Sequence, residues 1–231
     1  INLDGGILTA PGGQVELSSI KEQGTVSIIT NSEFNLGYPK NLNFDDIQLS
    51  NKSLIDVNGT SSGVVKIYGR QVNFQDGSLV WLQNRGMQQA GDIDVLALES
   101  LKLTNTTLNG IPSGLVNETI AAGASGNINI TTPLLDIRNG AVLAANTFST
   151  GIGGNINITA QSMGVFDYSP SLSRAISTVS AFAYSKGNAG NINISGQSLS
   201  IFGGGFIGSV TTSSGASGNV NIKSENIQIS G

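Results

Sequence analysis

Apolar and polar residues alternate in a five-residue phrase that returns along the chain. Its clearest copies are Gly126-Asn127-Ile128-Asn129-Ile130, Gly154-Asn155-Ile156-Asn157-Ile158, Gly190-Asn191-Ile192-Asn193-Ile194 and Gly218-Asn219-Val220-Asn221-Ile222. Looser copies are Gly91-Asp92-Ile93-Asp94-Val95 and Gly63-Val64-Val65-Lys66-Ile67, and Gly24-Thr25-Val26-Ser27-Ile28 reads as the earliest. Successive phrase glycines, from Gly24 to Gly218, are 39, 28, 35, 28, 36 and 28 residues apart. A period of two inside the phrase predicts a strand with one buried face. A repeat of this length predicts stacked structural units.

The pattern continues beyond the phrase. Counted from the glycine, offsets nine and eleven are Val72 and Phe74, Leu135 and Ile137, Met163 and Val165, Leu199 and Ile201, Ile227 and Ile229. All are apolar in a chain that is 39% hydrophobic, so they predict a second inward-facing segment. The Gly91 unit slips by one, to Leu101 and Leu103, and the Gly24 unit to Phe34 and Leu36. A third segment follows a glycine: Leu79 and Trp81 after Gly77, Val142 and Ala144 after Gly140, Phe206 after Gly204. Trp81 is expected inward, as core filling, with a sugar-stacking platform as its alternative. Three short strands per unit and no helical stretch predict an all-β chain, a parallel β-helix (β-solenoid) of about seven or eight coils. At the ordinary strand spacing this is a rod roughly 35–40 Å long.

If the isoleucines face inward, the asparagines face outward and stack coil on coil. Asn127, Asn155, Asn191 and Asn219 then form one amide ladder, and Asn129, Asn157, Asn193 and Asn221 a second. A ligand-binding row is the other reading of the same residues. The two longer units carry their extra residues in Asn105–Ser125 and Asp167–Ala189, read as polar display loops, the second with Tyr168, Phe182 and Tyr184. Between Gly24 and Gly63, Phe44, Ile47, Leu49, Leu54 and Val57 suggest short strands, and Asn35 to Asn41 a loop.

Residues 1–23 hold short alternating runs broken by glycine turns, Leu3-Asp4-Gly5-Gly6-Ile7-Leu8-Thr9-Ala10-Pro11-Gly12-Gly13-Gln14-Val15-Glu16-Leu17. This stretch resembles the end of the secretion domain in filamentous-haemagglutinin-like exoproteins of two-partner secretion, the cyanobacterial ones in particular. The repeats, including Ser185-Lys186-Gly187-Asn188-Ala189-Gly190-Asn191-Ile192-Asn193-Ile194, resemble the region that follows that domain. The family's Asn-Pro secretion motifs are not in this stretch. The resemblance implies a right-handed helix, as does the general crossover rule. It divides the chain into residues 1–23, the end of a secretion-domain-like β-helix, and 24–231, a repeat region continuous with it. It also implies a secreted, adhesive protein at the bacterial outer surface, an outer-membrane two-partner-secretion transporter as partner, and a cell-surface or glycan receptor.

Composition narrows the chemistry. With no cysteine and no histidine, thiolate chemistry, a Ser-His-Asp triad and histidine-based zinc sites are excluded. Net charge is −4, which gives no reason to expect nucleic acid. No apolar run is long enough for a membrane-spanning helix. There is no basic start followed by an apolar core, so no signal peptide is expected, and Ile1 opens in mid-pattern, as a segment of something longer would. Gly203-Gly204-Gly205-Phe206-Ile207-Gly208 reads as a glycine-rich turn, not a dinucleotide motif, and no calcium nonapeptide recurs, so no cofactor is expected. Asp92 with Asp94, and Arg70 with Asp136 and Arg138, are the candidate acid and base groups that stacking could gather; surface ion pairing explains them better than an active site. The expected function is a non-catalytic structural and adhesive segment. A polysaccharide-binding or polysaccharide-cleaving β-helix and a passive surface spacer are the alternatives.

Overall fold

The computed structural model describes residues 1–30, 34–39, 42–60 and 63–231. In chain order its strands are β1 (Asn2–Asp4), β2 (Ile7–Thr9), β3 (Gln14–Ser18), β4 (Ser27–Thr30), β5 (Phe34–Gly37), β6 (Ile47–Ser50), β7 (Leu54–Asp56), β8 (Val64–Gln75), β9 (Leu79–Asn84), β10 (Ile93–Thr104) and β11 (Gly114–Thr119). They continue as β12 (Ile128–Arg138), β13 (Val142–Thr147), β14 (Ile156–Phe166), β15 (Tyr168–Ser169), β16 (Leu172–Ile176), β17 (Thr178–Ala183), β18 (Ile192–Ser195), β19 (Ser198–Phe202), β20 (Phe206–Thr211), β21 (Val220–Lys223) and β22 (Asn226–Ile229). No helix occurs among the described residues.

The strands form two long parallel sheets. In the first, β6, β8, β10, β12 and β14 lie side by side, β1 pairs with β6, and β3 pairs with β8. β18 and β19 pair with β14, and β21 and β22 extend them. The second sheet runs β2-β7-β9-β11-β13-β17-β20. Each strand thus pairs with its counterpart in the neighbouring repeat, an arrangement consistent with a β-solenoid. The phrase copies fall into register: Ile93, Ile128, Ile156, Ile192 and Val220 are successive partners.

The inward set matches the alternation in the first sheet. Val65, Ile67, Ile93, Ile128, Ile156, Ile192, Val72, Phe74, Leu135, Ile137 and Val165 are fully buried. In β8, β10, β12 and β14 the first two expected segments run on as one continuous strand; they separate only as β18 with β19 and β21 with β22. The one-residue slip of the Gly91 unit is a break in register between Leu96 and Ser100 of β10, where Leu98 turns outward. Such a bulge adds a residue on one strand and restores the inward parity beyond it, so Leu101 and Leu103 are buried. Ile227 and Ile229 keep the predicted register but are exposed, 49% and 69%, because β22 pairs only with β19.

Two sequence expectations are corrected. First, Gly24-Thr25-Val26-Ser27-Ile28 is not a repeat copy. β4 pairs antiparallel with β5 in a hairpin, so Leu36 and the backbone of Phe34 sit there, and the expected loop from Asn35 is partly strand, its end at Asn41 lying outside the described residues. The stacked copy is Gly13-Gln14-Val15-Glu16-Leu17, whose β3 pairs Val15 with Val65 and Leu17 with Ile67. Second, the third segment has the opposite parity. Val80, Leu82, Leu115, Leu143, Ala145, Val179 and Ala181 point inward, and Leu79, Trp81, Val142 and Phe206 point outward. The turns before these strands take two consecutive left-handed residues, Asp76-Gly77, Asn139-Gly140 and Gly203-Gly204, with φ between 56° and 87°. Such a turn rotates the strand about its axis, so alternation cannot be counted across it.

Tyr38 and Phe44, between β3 and β6 in the chain, lie over the outer face of β3 and β8. Tyr38 donates from its hydroxyl to Glu16 at 2.5 Å and contacts Ser18. It packs edge-on to Tyr68 and Phe44, at 5.6 and 5.8 Å between centroids. Burial, then the Glu16 hydrogen bond, holds the Tyr38 phenol well above its ordinary range. Arg70 binds Asp46 at 2.7 Å, and reaches Glu99 at 2.9 Å.

Candidate functional site

The structure places all eight outward asparagines in two hydrogen-bonded columns on the first sheet. In the column nearer the turn, Asn127 Oδ1 accepts the backbone N–H of Asn155 at 3.0 Å and its side-chain amide at 3.1 Å. Asn155 does the same for Asn191, at 2.8 and 3.1 Å, and Asn191 accepts the backbone N–H of Asn219 at 2.8 Å. In the other column only side chains meet: Asn157 to Asn129 at 2.8 Å, Asn193 to Asn157 and Asn221 to Asn193 at 2.9 Å. Asp92 and Asp94 head the columns, accepting from Asn127 and Asn129. The carboxylates at the heads can only accept, and in the first column each backbone N–H can only donate, so every Oδ1 faces the next coil. A trough of about 590 Å³ runs along the second column, between Asn157, Asn193 and Asn221 and the row Thr159, Ser195 and Lys223.

The two columns therefore carry different loads. Asn155→Ala removes the acceptor of a partly buried backbone N–H as well as two amide contacts, and should cost about 2 kcal/mol. Asn157→Ala loses side-chain bonds alone and should cost about 1 kcal/mol. Urea unfolding followed by circular dichroism separates the two.

The outer face of the second sheet has a different chemistry. Register places Asp56 beside Trp81, Gln83 beside Glu118, and Glu118 beside Asn146. Trp81 donates its indole N–H to Glu118 Oε1 at 3.0 Å, and the Gln83 amide donates to the same oxygen at 2.7 Å. Arg85 donates from Nε to Gln83 Oε1 at 2.8 Å. Glu118 is only 9% exposed and has no ion-pair partner among the described residues. Further along, Phe148 and Tyr184 stack at 4.6 Å, Tyr184 and Phe182 at 5.5 Å, and Phe182 and Phe206 at 6.3 Å. Burial, and then the Glu118 charge, raises the Tyr184 phenol above its ordinary range. These four rings spend their faces on one another, whereas Trp81 is in no ring pair among the described residues.

The expected display loops are smaller than the sequence suggested. β11 and β17 are ordinary members of the second sheet, so Phe182 lies on β17 and Tyr184 follows it directly. The true excursions are residues 105–113 and 167–177, the latter containing the β15–β16 hairpin with Tyr168 exposed. Both leave the same corner, and they touch through Thr106 Oγ1 and Ser169 Oγ at 2.7 Å. A third ladder, not anticipated, turns this corner: Asn139 donates to Asn105 at 3.0 Å, and Asn105 to Asp76 at 3.1 Å. Its signal was the Asp or Asn in left-handed conformation at positions 76, 105 and 139.

The acid and base candidates do not assemble. Arg70 binds Asp45, Asp46 and Glu99, while Asp136 binds Arg138 at 2.7 Å, with Arg138 over the Phe166 ring at 5.3 Å. In register, Asp136 stands beside Lys102 and Gly164, so stacking does not bring Arg70 to it. Among the described residues no three or more acidic side chains are grouped to hold a metal ion, and no helix is long and apolar enough to cross a membrane. No family model, curated protein or solved structure matches this chain.

Proposed function

We propose that this chain is a secreted, non-catalytic adhesive shaft, part of a haemagglutinin-like exoprotein exported through an outer-membrane two-partner-secretion transporter. It is a right-handed parallel β-helix of about seven or eight coils, displayed at the bacterial surface toward a cell-surface or glycan receptor. The observation that carries this reading is the pairing of every main strand with its counterpart one repeat on. A chain built so buries each coil on the last and can fold in order as it emerges from a pore. The outward aromatic and carboxylate side chains of the second sheet, and the excursions at one corner, supply surfaces for a receptor.

The test is adhesion of beads coated with the 231-residue chain to bacterial and host cell surfaces. Variants with 105–113 or 167–177 replaced by the short turn of the neighbouring repeats locate any binding. Specific adhesion supports the reading, and its retention in both variants places the contact on the second-sheet face. A folded chain that adheres to nothing reduces the protein to a spacer.

A further inference from the structure

We propose that Trp81, Glu118, Gln83 and Asp56 form a subsite for a neutral sugar residue, with the C–H face of the sugar on the indole and a sugar hydroxyl donating to Glu118 Oε2. The proposal rests on the reading above, in which the second-sheet face meets a receptor, and names the chemistry that face takes.

Glu118 carries the argument. It stands in a column between Gln83 and Asn146, a position where a neutral amide would continue the stack as asparagines do on the first sheet. There, the carboxylates in the ladders occur only at their heads, Asp92 and Asp94. At position 118 a carboxylate is placed in mid-column, largely covered and with no cation on it among the described residues. A glutamine would accept the Trp81 and Gln83 protons equally well. Both of those donors converge on Oε1, which leaves the lone pairs of Oε2 without a protein donor among the described residues. A carboxylate oxygen that no protein group has engaged is a strong acceptor for a hydroxyl.

Trp81 supplies the second half. Its N–H is spent on Glu118, which fixes the ring before any ligand arrives. Among the described residues its face is not consumed by another ring, unlike those of Phe148, Phe182 and Tyr184. The charge around it selects the ligand class. Asp56 and Glu118 disfavour an anion, and Arg85, held against Gln83, offsets part of their charge. Acceptors and donors side by side, next to an apolar plane, match a molecule that is neutral, rich in hydroxyls and apolar on one face. That describes a hexose unit of a glycan.

Trp81 is the only tryptophan, so its emission reports on this place alone. The experiment measures acrylamide quenching of that emission in the intact chain, with neutral oligosaccharides of glucose, galactose and mannose as probes, and sialylated and sulfated oligosaccharides as counter-probes. A neutral oligosaccharide is expected to shield the indole, and Glu118→Gln to weaken the midpoint about tenfold while leaving the fold unchanged by circular dichroism. Phe148→Leu should leave the midpoint where it is. Shielding by the anionic sugars in preference to the neutral ones overturns the proposal, as does shielding that Glu118→Gln does not alter. No shielding by any neutral sugar, with bead adhesion intact, overturns the sugar and leaves the adhesive reading standing. Loss of both overturns both.

Discussion

Gly154→Ala is expected to cost at least about 3 kcal/mol and to split unfolding into two steps. A methyl carbon at Gly154 would lie 1.7 Å from the carbonyl oxygen of Gly126, one coil before it. The same contact recurs up the column: Gly126 on Gly91, Gly190 on Gly154 and Gly218 on Gly190, at 1.8, 1.8 and 2.2 Å. None of these glycines has a left-handed backbone, so what requires glycine is close approach of one backbone to the next. Relief means moving backbone, which breaks the parallel bond from the Ile128 N–H to Asn155 and the Asn127–Asn155 contacts beside it. In a stacked fold, stability is a sum over neighbouring coils, so one weakened junction uncouples the two halves. Gly153→Ala is the control, because its methyl would meet nothing closer than 3.1 Å, and it should cost less than about 1 kcal/mol. Urea unfolding of both variants, read by circular dichroism, decides it; a Gly154→Ala curve that overlays the parent refutes the close-approach account.

Phe74→Ala should cost about 3–5 kcal/mol, whereas Ile229→Ala, in the same inward column, should cost under about 0.5 kcal/mol. Phe74 is fully buried, between Leu49 of β6 and Leu103 of β10, both also fully buried. The backbone ladders fix the distance between those strands, so Leu49 and Leu103 cannot close over the space left behind. Ile229 is 69% exposed and has a partner strand on one side only. Sequence pattern treats the two positions as equivalent, and thermal or urea unfolding of the two variants should show that they are not. Equal losses would mean that Ile229 is covered in solution.

Much of the first sheet was legible because its physics is local. Alternation of Asn and Ile fixes which side chains share a face, and a repeat stacked in register brings like residues together, so the asparagine columns could be named from spacing alone. The Asp heads of those columns could have been read the same way. So could a second glycine column. Gly123, Gly151, Gly187 and Gly215 each stand three residues before a phrase glycine, and a methyl carbon at Gly151, Gly187 or Gly215 would lie within 2.2 Å of the carbonyl oxygen of the one before. The spacing Gly-x-x-Gly-Asn was in view, but a glycine needed for close approach looks, in one sequence, like a glycine in a turn.

What the chain alone determined is the strand content, the repeat and the inward set of the first sheet, since each depends on periodicity within a strand. Tertiary structure decided three things that depend on how strands are joined. The left-handed pairs at Asp76-Gly77 and Asn139-Gly140 reverse the parity of the second sheet, which turned Trp81 from an expected core residue into an outward one. The antiparallel pairing of β4 with β5 removed the Gly24 unit from the stack and gave its place to Gly13. Stacking across coils set Glu118 between Trp81 and the aromatic column, residues 37 and 30 positions away at Trp81 and Phe148. Periodicity carries no information across a turn whose rotation is set by two dihedral angles, and that is where the candidate site was decided.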